Sequence, residues 1–276
     1  MKTVLASAAD SHSASRVGLC PPVFYLEAPE GGRLECKATP GQLALWEAWC
    51  TYWDKMKRKK KKLRAKLEAW HVGDGLDDAK NAKAELVSAN KNDILRIAAQ
   101  VFEPVVDAAD EIYMLRGTEW HVGEAGWLDE QLAQKIGGVP STDGPASWWV
   151  LRRVVEGIKI HATHHPPSRG TRPWTENNAS SLSSANLKMR YADMGQECPD
   201  IALFGHVHFA ADSGAANKPR VFYLPGWQMT TSFASKIGMA GIVRPVGGWW
   251  FVIENGQYTV EPEIWNWKKE SVWSTS

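Results

Sequence analysis

Apolar residues fall into short β-compatible runs separated by stretches of helical spacing, and most runs end on a glycine or a polar cluster. Thr3 to Ala9 ends at Asp10-Ser11-His12, and Ala69 to Val72 runs into Gly73-Asp74-Gly75. Glu111 to Leu115 delivers Gly117-Thr118-Glu119-Trp120-His121. Ser147 to Val155 and Gly157 to Ala162 predict a hairpin turning at Glu156-Gly157, whose second strand exits into His164-His165-Pro166-Pro167. Ile201 to Phe204 feeds Gly205-His206-Val207-His208. Val221 to Leu224, Gly248 to Glu254 and Gln257 to Val260 complete the predicted strands, the last two joined at the hairpin signal Asn255-Gly256. After Thr39-Pro40-Gly41, the residues Trp46, Trp49, Cys50, Trp53, Met56, Leu63 and Leu67 recur at helical spacing and predict a long basic amphipathic helix over about 41–67. A second helix is predicted after Asn90 or Asn92, with Ile94, Ile97, Ala98, Val101 and Phe102 facing inward and a stop near Pro104. A third covers Ser180 to Met194 and is stopped by Gly195.

Composition narrows the class. With 276 residues, 44% hydrophobic and 23% charged, the chain can bury a sizeable core in one large domain or at most two. A net charge of +1 gives no global attraction to nucleic acid or membrane. No run approaches the roughly 18 apolar residues of a spanning helix, and Asp10 interrupts the first apolar run too early for a secretory segment. The expectation is a soluble cytoplasmic protein with no membrane partner. Cys20, Cys36, Cys50 and Cys198 show no Cys-x-x-Cys spacing, so any metal would be held by nitrogen and oxygen. The one strong charge feature is Lys55 to Lys66, with nine Lys or Arg among twelve residues. It reads either as a solvated helix face or as a phosphate-binding arm for nucleic acid.

The polar groups at the strand exits carry the chemistry. Gly-His-x-His places two imidazoles at i and i+2 past a buried strand, where open α/β sheets keep their sites. Asp10 and His12 share the same spacing and a common face. Glycines around Asp74 let the backbone turn sharply and leave its carboxylate free. His164 lies at a strand exit followed by residues that cannot continue the strand, whereas His161 sits inside the strand and reads as a packed histidine.

In order, these are Asp-x-His, Gly-Asp, a Gly-Thr-Glu-Trp-His loop, His-His-Pro and Gly-His-x-His. The series resembles the calcineurin-like metallophosphoesterase family, whose signature is Asp-x-His, Gly-Asp, Gly-Asn-His-(Asp/Glu), His and Gly-His-x-His. The match runs from Asp10 to His208, and Asp10-Ser11-His12 with Gly18 to Pro22 and the Gly-Thr loop looks most like compact members carried by phages and environmental bacteria. The resemblance implies an α/β fold, a four-layer αββα sandwich of two mixed β-sheets flanked by helices, formed by a single domain over 1–276 with a C-terminal β-hairpin at about 245–262. It implies a dinuclear metal site at the strand carboxyl ends. Asp10, His12, Asp74 and His208 would hold one divalent ion, and Asp74 would bridge to a second completed by His164 and His206. Manganese is expected foremost, with iron, zinc or nickel also suited to these donors. The implied activity is that of a phosphoesterase, a phosphodiesterase in preference to a phosphomonoesterase, hydrolysing small or nucleotide phosphoesters by attack of a metal-bound hydroxide.

The chain departs from the signature in its third block, where Thr118 stands in place of the metal-binding Asn. Thr118 would bind weakly, Glu119 would swing in, or water would fill the position. His121, displaced by two residues, is the histidine available to protonate the leaving oxygen. Trp120, Trp174 and Trp227 would stack on a base or wedge the loops, and Arg169 and Arg172 would meet phosphate. Two alternatives accompany this reading: a metal-dependent nuclease guided by the Lys55 to Lys66 arm, and a non-catalytic binding protein of the same fold. An exposed tryptophan stripe on the long helix would favour a homo-oligomer.

Overall fold

Val4, Leu5, Ala6 and Ala8 of β1 (Lys2–Ala8) are all buried, so this strand has no polar face to turn to water and must be covered on both sides. In the computed structural model, which describes residues 1–78, 85–142, 144–170, 175–231 and 244–266 (all but the side chain of Asn177), β1 lies at the centre of a six-stranded mixed sheet. The hairpin β2 (Val23–Glu27) and β3 (Arg33–Lys37) forms a small separate sheet. Parallel to β1 runs β4 (Lys66–His71), with Ala8 opposite His71, followed by β5 (Glu111–Leu115) and the short β6 (Ser147–Trp148).

The second sheet begins with β7 (Leu151–Val155), antiparallel to β8 (Ile158–Thr163), and continues through β9 (Ile201–Phe204), with β10 (Ala211–Asp212) outermost beyond β11 (Arg220–Tyr223). On the other flank of β1, β12 (Val246–Glu254) is antiparallel and β13 (Gln257–Trp265) closes the first sheet. Asn255 and Gly256 both take positive φ, 51° and 73°, the backbone that a two-residue hairpin turn needs.

The two sheets enclose one apolar core of Leu5, Trp70, Tyr113, Leu115, Ile160, Leu203, Phe222 and Phe251. Over the outer face of the first sheet lie α1 (Pro40–Leu63), α2 (Lys91–Val101), α3 (Glu103–Ala108) and, beyond the single turn α4 (Glu119–Val122), α5 (Trp127–Ile136). Trp49, Trp53, Ile97 and Leu132 share a second core there with Val4, Ala6, Leu67 and Met114. Over the second sheet, Leu187 and Tyr191 of α6 (Glu176–Asp193) join Ala202, Phe204 and Val221. The result is the expected four-layer αββα sandwich. Among the described residues, no helix is long and apolar enough to cross a membrane.

Several elements differ from the sequence reading. The long helix ends at Leu63, where Arg64 turns left-handed at φ 51°, and Leu67 belongs to β4. Lysine and arginine are good helix formers, so the basic run carries no local stop signal; the strand is drawn out by pairing with β1. The run Ser147 to Val155 is divided, its first two residues pairing with β5 and the remainder entering the other sheet. The hairpin β2/β3 and helix α5 were not foreseen.

Because β1, β4 and β5 are parallel in one sheet and β8, β9 and β11 in the other, their carboxyl ends gather along common edges. Backbone hydrogen bonds tie the exits within each edge, Asp10 N–H to Gly73 O at 2.9 Å and Gly205 N–H to His164 O at 3.1 Å, and Trp227 N–H to Asp10 O at 2.9 Å joins one edge to the other.

Candidate metal centre

The loops leaving these strands are held in conformations that side chains ordinarily avoid. Asp10, His12, Asp74, His206 and His208 all have positive φ, between 39° and 73°. Each costs about 1 to 3 kcal/mol, and such strain persists only where the surroundings over-determine the backbone. Here the surroundings are the other loops. Gly117 lies so close to Asp74 that any Cβ would fall on the Asp74 backbone and carboxylate.

The side chains converge accordingly. Asp10 is fully buried, and its two carboxylate oxygens accept the His206 N–H at 3.1 and 2.9 Å. Its Oδ1 lies 3.3 Å from His208 Nε2 and 3.9 Å from His164 Nε2. Asp74 Oδ1 accepts the Thr118 N–H at 2.6 Å, and its Oδ2 faces His164 Nε2 at 3.0 Å. His164 donates Nδ1–H to Val72 O at 2.7 Å, which leaves its Nε2 pointing at the two aspartates. His12 Nε2 and His208 Nε2 are 3.3 Å apart.

Ligand atoms within 4.8 Å of one another group as Asp10, His12 and His208; Asp10, Asp74 and His164; and His164, His165 and His206. All six expected ligands are thus brought to one place from loops almost two hundred residues apart. Thr118 Oγ1 stands 3.2 Å from ring nitrogens of His164, His165 and His206, at the position the sequence reading left open. Glu119 instead opens α4.

Three further residues complete the arrangement. Asp77 Oδ1 accepts from His12 Nδ1 at 2.8 Å and from His121 Nδ1 at 2.9 Å, so one buried carboxylate orients both rings, whose centroids are 4.7 Å apart. Asp129, at the start of α5, accepts the N–H groups of Gly75 at 3.1 Å and Gly117 at 2.8 Å and ties the two central loops together. His165 is the third. Asp77 lies three residues past Asp74 in the same turn, a spacing that could have been read from sequence; Asp129 lies on the unforeseen helix and had no signal.

Carboxylates and imidazoles in the cluster shift one another's ionisation. Burial opposes ionisation of Asp10 and Asp77, yet the neighbouring imidazoles outweigh it and hold both carboxyls at about 2, with Asp74 also well below the usual range. Burial likewise disfavours the His12 and His164 imidazoliums, but facing carboxylates raise each to about 9. Asp129 is pushed up to about 7 by burial and by the adjacent Asp74 charge. Ionised carboxylates facing imidazoles can hold a divalent cation where they now hold imidazolium protons, and the mixture of imidazole and carboxylate fits the transition metals expected from sequence.

Outside the cluster, expectation and structure part in places. Trp227 is fully buried, 4.9 Å from Trp49 and 5.8 Å from Trp265, and is a core residue that cannot stack on a ligand. Trp174 and Arg172 lie outside the described residues. Trp120 is 60% exposed beside His121, and Arg169 is exposed near His165 and His206. His161 is packed, as expected, with Nδ1 3.0 Å from the Tyr191 hydroxyl.

Lys55, Lys57, Arg58, Lys60 and Lys66 all pair with acidic groups. The basic segment leads into the amino end of β4, whereas the site lies at its carboxyl end, roughly 17 Å away at strand rise. It therefore does not overhang the cluster. In the tryptophan stripe of α1, Trp49 and Trp53 are buried against the sheet and Trp46 is half-buried.

No protein-family model matches the chain, and no curated protein matches it. Among solved structures, the chain is similar to zinc-bound Vps29 from Entamoeba histolytica, at 10% identity over 95% of this chain and 97% of that one, with a TM-score of 0.42. Vps29 from Cryptosporidium parvum is 10% identical over 96% and 98%, with a TM-score of 0.43. A 5'-nucleotidase from Candida albicans is 9% identical over 94% of this chain and 50% of that one, with a TM-score of 0.44. Scores and identities this low carry no weight for function, which has to be read from the residues themselves.

Proposed function

We propose that the protein is a dinuclear-metal-dependent phosphoesterase of the calcineurin-like kind, acting on small or nucleotide phosphoesters and on diesters in preference to monoesters. The observation supporting this reading is the convergence of Asp10, His12, Asp74, His164, His206 and His208 into overlapping groups of ligand atoms within 4.8 Å. In it, Asp10, His12, Asp74 and His208 hold one divalent ion, and Asp74, His164 and His206 belong to a second. When bound, such a pair of ions supplies an activated water and neutralises charge developing on phosphate.

The chain's own residues do the rest. Asp77 fixes the Nδ1–H tautomer of His12, leaving Nε2 as the donor atom, a carboxylate–histidine arrangement common behind metal ligands. The same carboxylate fixes Nδ1–H of His121, so that Nε2 of this partly exposed ring is left to carry a proton to the leaving oxygen. Asp129 holds Gly75 and Gly117, and so keeps Asp74 and Thr118 in place. Trp120 and Arg169 stand at the rim, where a base and a phosphate would meet a stacking surface and a cation.

The test is hydrolysis of aryl phosphodiesters and monoesters by the full chain with manganese, iron, zinc or nickel, and its abolition by a chelator. Absence of turnover with every ion, in protein that binds metal, would favour a non-catalytic binding protein of this fold instead.

A further inference from the structure

The proposed reading leaves the second ion short of a ligand, because Thr118 offers a hydroxyl where an amide oxygen would serve better. The geometry around that hydroxyl is unusual. Three imidazole nitrogens, His164 Nε2, His165 Nε2 and His206 Nδ1, each lie 3.2 Å from Thr118 Oγ1. A hydroxyl has a single hydrogen to donate. His164 Nδ1–H is committed to Val72 O, so it is Nε2 that faces both that hydroxyl and Asp74 Oδ2 at 3.0 Å, and a cation would bind there in place of the Nε2 proton. Nitrogen and carboxylate oxygen brought this close call for a positive charge between them, a proton or, in its place, a metal ion.

His165 is also placed against the ordinary course of the chain. Neighbouring residues of a strand point to opposite faces, yet β8 ends at Thr163 and the backbone turns, so that His164 and His165 both reach the same hydroxyl. Their rings stand edge to face at 4.8 Å, and His165 lies 4.5 Å from the His206 ring. Pro166 and Pro167 fix the chain immediately afterwards.

We propose that His165 is a ligand of the second cation, taking the coordination place that an amide side chain at position 118 would fill, and that the resulting set of three imidazoles makes this site prefer zinc or nickel to manganese. Nitrogen-rich sites bind later divalent metals more tightly, with manganese the weakest of the series. The first site, with two carboxylates among its four ligands, has this bias in weaker form. The inference rests on the metal-dependent reading given above.

The experiment is calorimetric titration of the chelator-stripped full chain with zinc and, separately, manganese. The wild-type protein should take up two equivalents of zinc, the second at least about tenfold more tightly than manganese at the same site. His165→Ala should keep the first equivalent and bind the second at least about tenfold more weakly. Thr118→Asn in the His165→Ala background should recover most of that loss, because the amide oxygen restores a ligand. Circular dichroism checks that the variants fold, as an exposed His165 leads one to expect. An unchanged second equivalent in His165→Ala, or no recovery in the double variant, would overturn the assignment. Wild-type protein that binds fewer than two equivalents would instead defeat the dinuclear reading itself.

Discussion

The Nε2 atoms of His12 and His208 face each other at 3.3 Å. Since His12 Nδ1 donates to Asp77, its Nε2 is the atom left to face a cation, and the Asp10 carboxylate lies 3.3 Å from the opposing nitrogen. Donors assembled this closely share protons until a metal ion displaces them. A fitting divalent ion at about a hundred times its dissociation constant should therefore stabilise the protein by about 2.7 kcal/mol, raising Tm by roughly 5 to 10 °C for a chain of this size. Thermal melts with and without chelator check this. A Tm indifferent to manganese, iron, zinc and nickel would count against any metal at this site.

His121 and Asp77 separate proton delivery from metal binding. His121→Ala should retain both ions and lose about 10²- to 10³-fold in turnover, most on esters with poor leaving groups. Asp77→Asn should weaken the first ion as well, because it also frees the His12 ring. Equal losses on activated and unactivated esters in His121→Ala would show that leaving-group protonation is not its role.

Asp129 should prove structural and costly to lose. It is fully buried and accepts two backbone N–H groups, from Gly75 and Gly117, that have no water to turn to. Asp129→Ala strands both donors and should destabilise the fold by about 2 to 5 kcal/mol in denaturant titration.

Glu130 gives the fold an acid limit. Burial works against its charge, but hydrogen bonds from Ser147 Oγ, the Ala146 N–H, the Gln134 side chain and the Ser147 N–H prevail and lower its carboxyl from 4.5 to about 2. A folded-state value below the unfolded one means that the stabilisation is complete above pH 4.5 and is lost as pH falls from there towards 2. It amounts to at most about 3 kcal/mol, reduced by solvent screening of a partly exposed carboxylate. Denaturation of Glu130→Gln should fall short of wild type by that order at pH 6 and converge with it near pH 2; a gap independent of pH would contradict the assignment.

Lys61 and Lys62 are exposed at the end of α1 away from the cluster. Reversing both charges should leave turnover of small phosphoesters unchanged and should not selectively depress cleavage of polynucleotides. A selective loss on polynucleotides, sensitive to salt, would revive the basic segment as a guide for nucleic acid.

The elements that align with the sequence reading are those with an unambiguous local pattern. Glu111–Leu115 and Ile201–Phe204 are alternately bounded, apolar and short, and Asn255-Gly256 is a turn that few other dipeptides make so readily. The errors lie where pairing at long range overrides propensity. Lys66 and Leu67 look helical but are claimed by β1, and Trp148 looks continuous with Val150 but belongs to the other sheet. Trp227 looked like a rim residue because it sits in a loop; the aromatic layer under α1 absorbs it.

By itself the sequence determined which donors this protein possesses and their order at the strand exits, because residue type and the carboxyl ends of apolar runs are local properties. Only the tertiary structure decided which donors share a neighbourhood. That Asp77 serves two rings, that Asp129 reaches the Gly75 loop and that His165 turns inward beside Thr118 depends on contacts between segments 44 to 65 residues apart. Such contacts are fixed by the parallel pairing of β1, β4 and β5 in one sheet and by its stacking on the other, which no window of the chain contains.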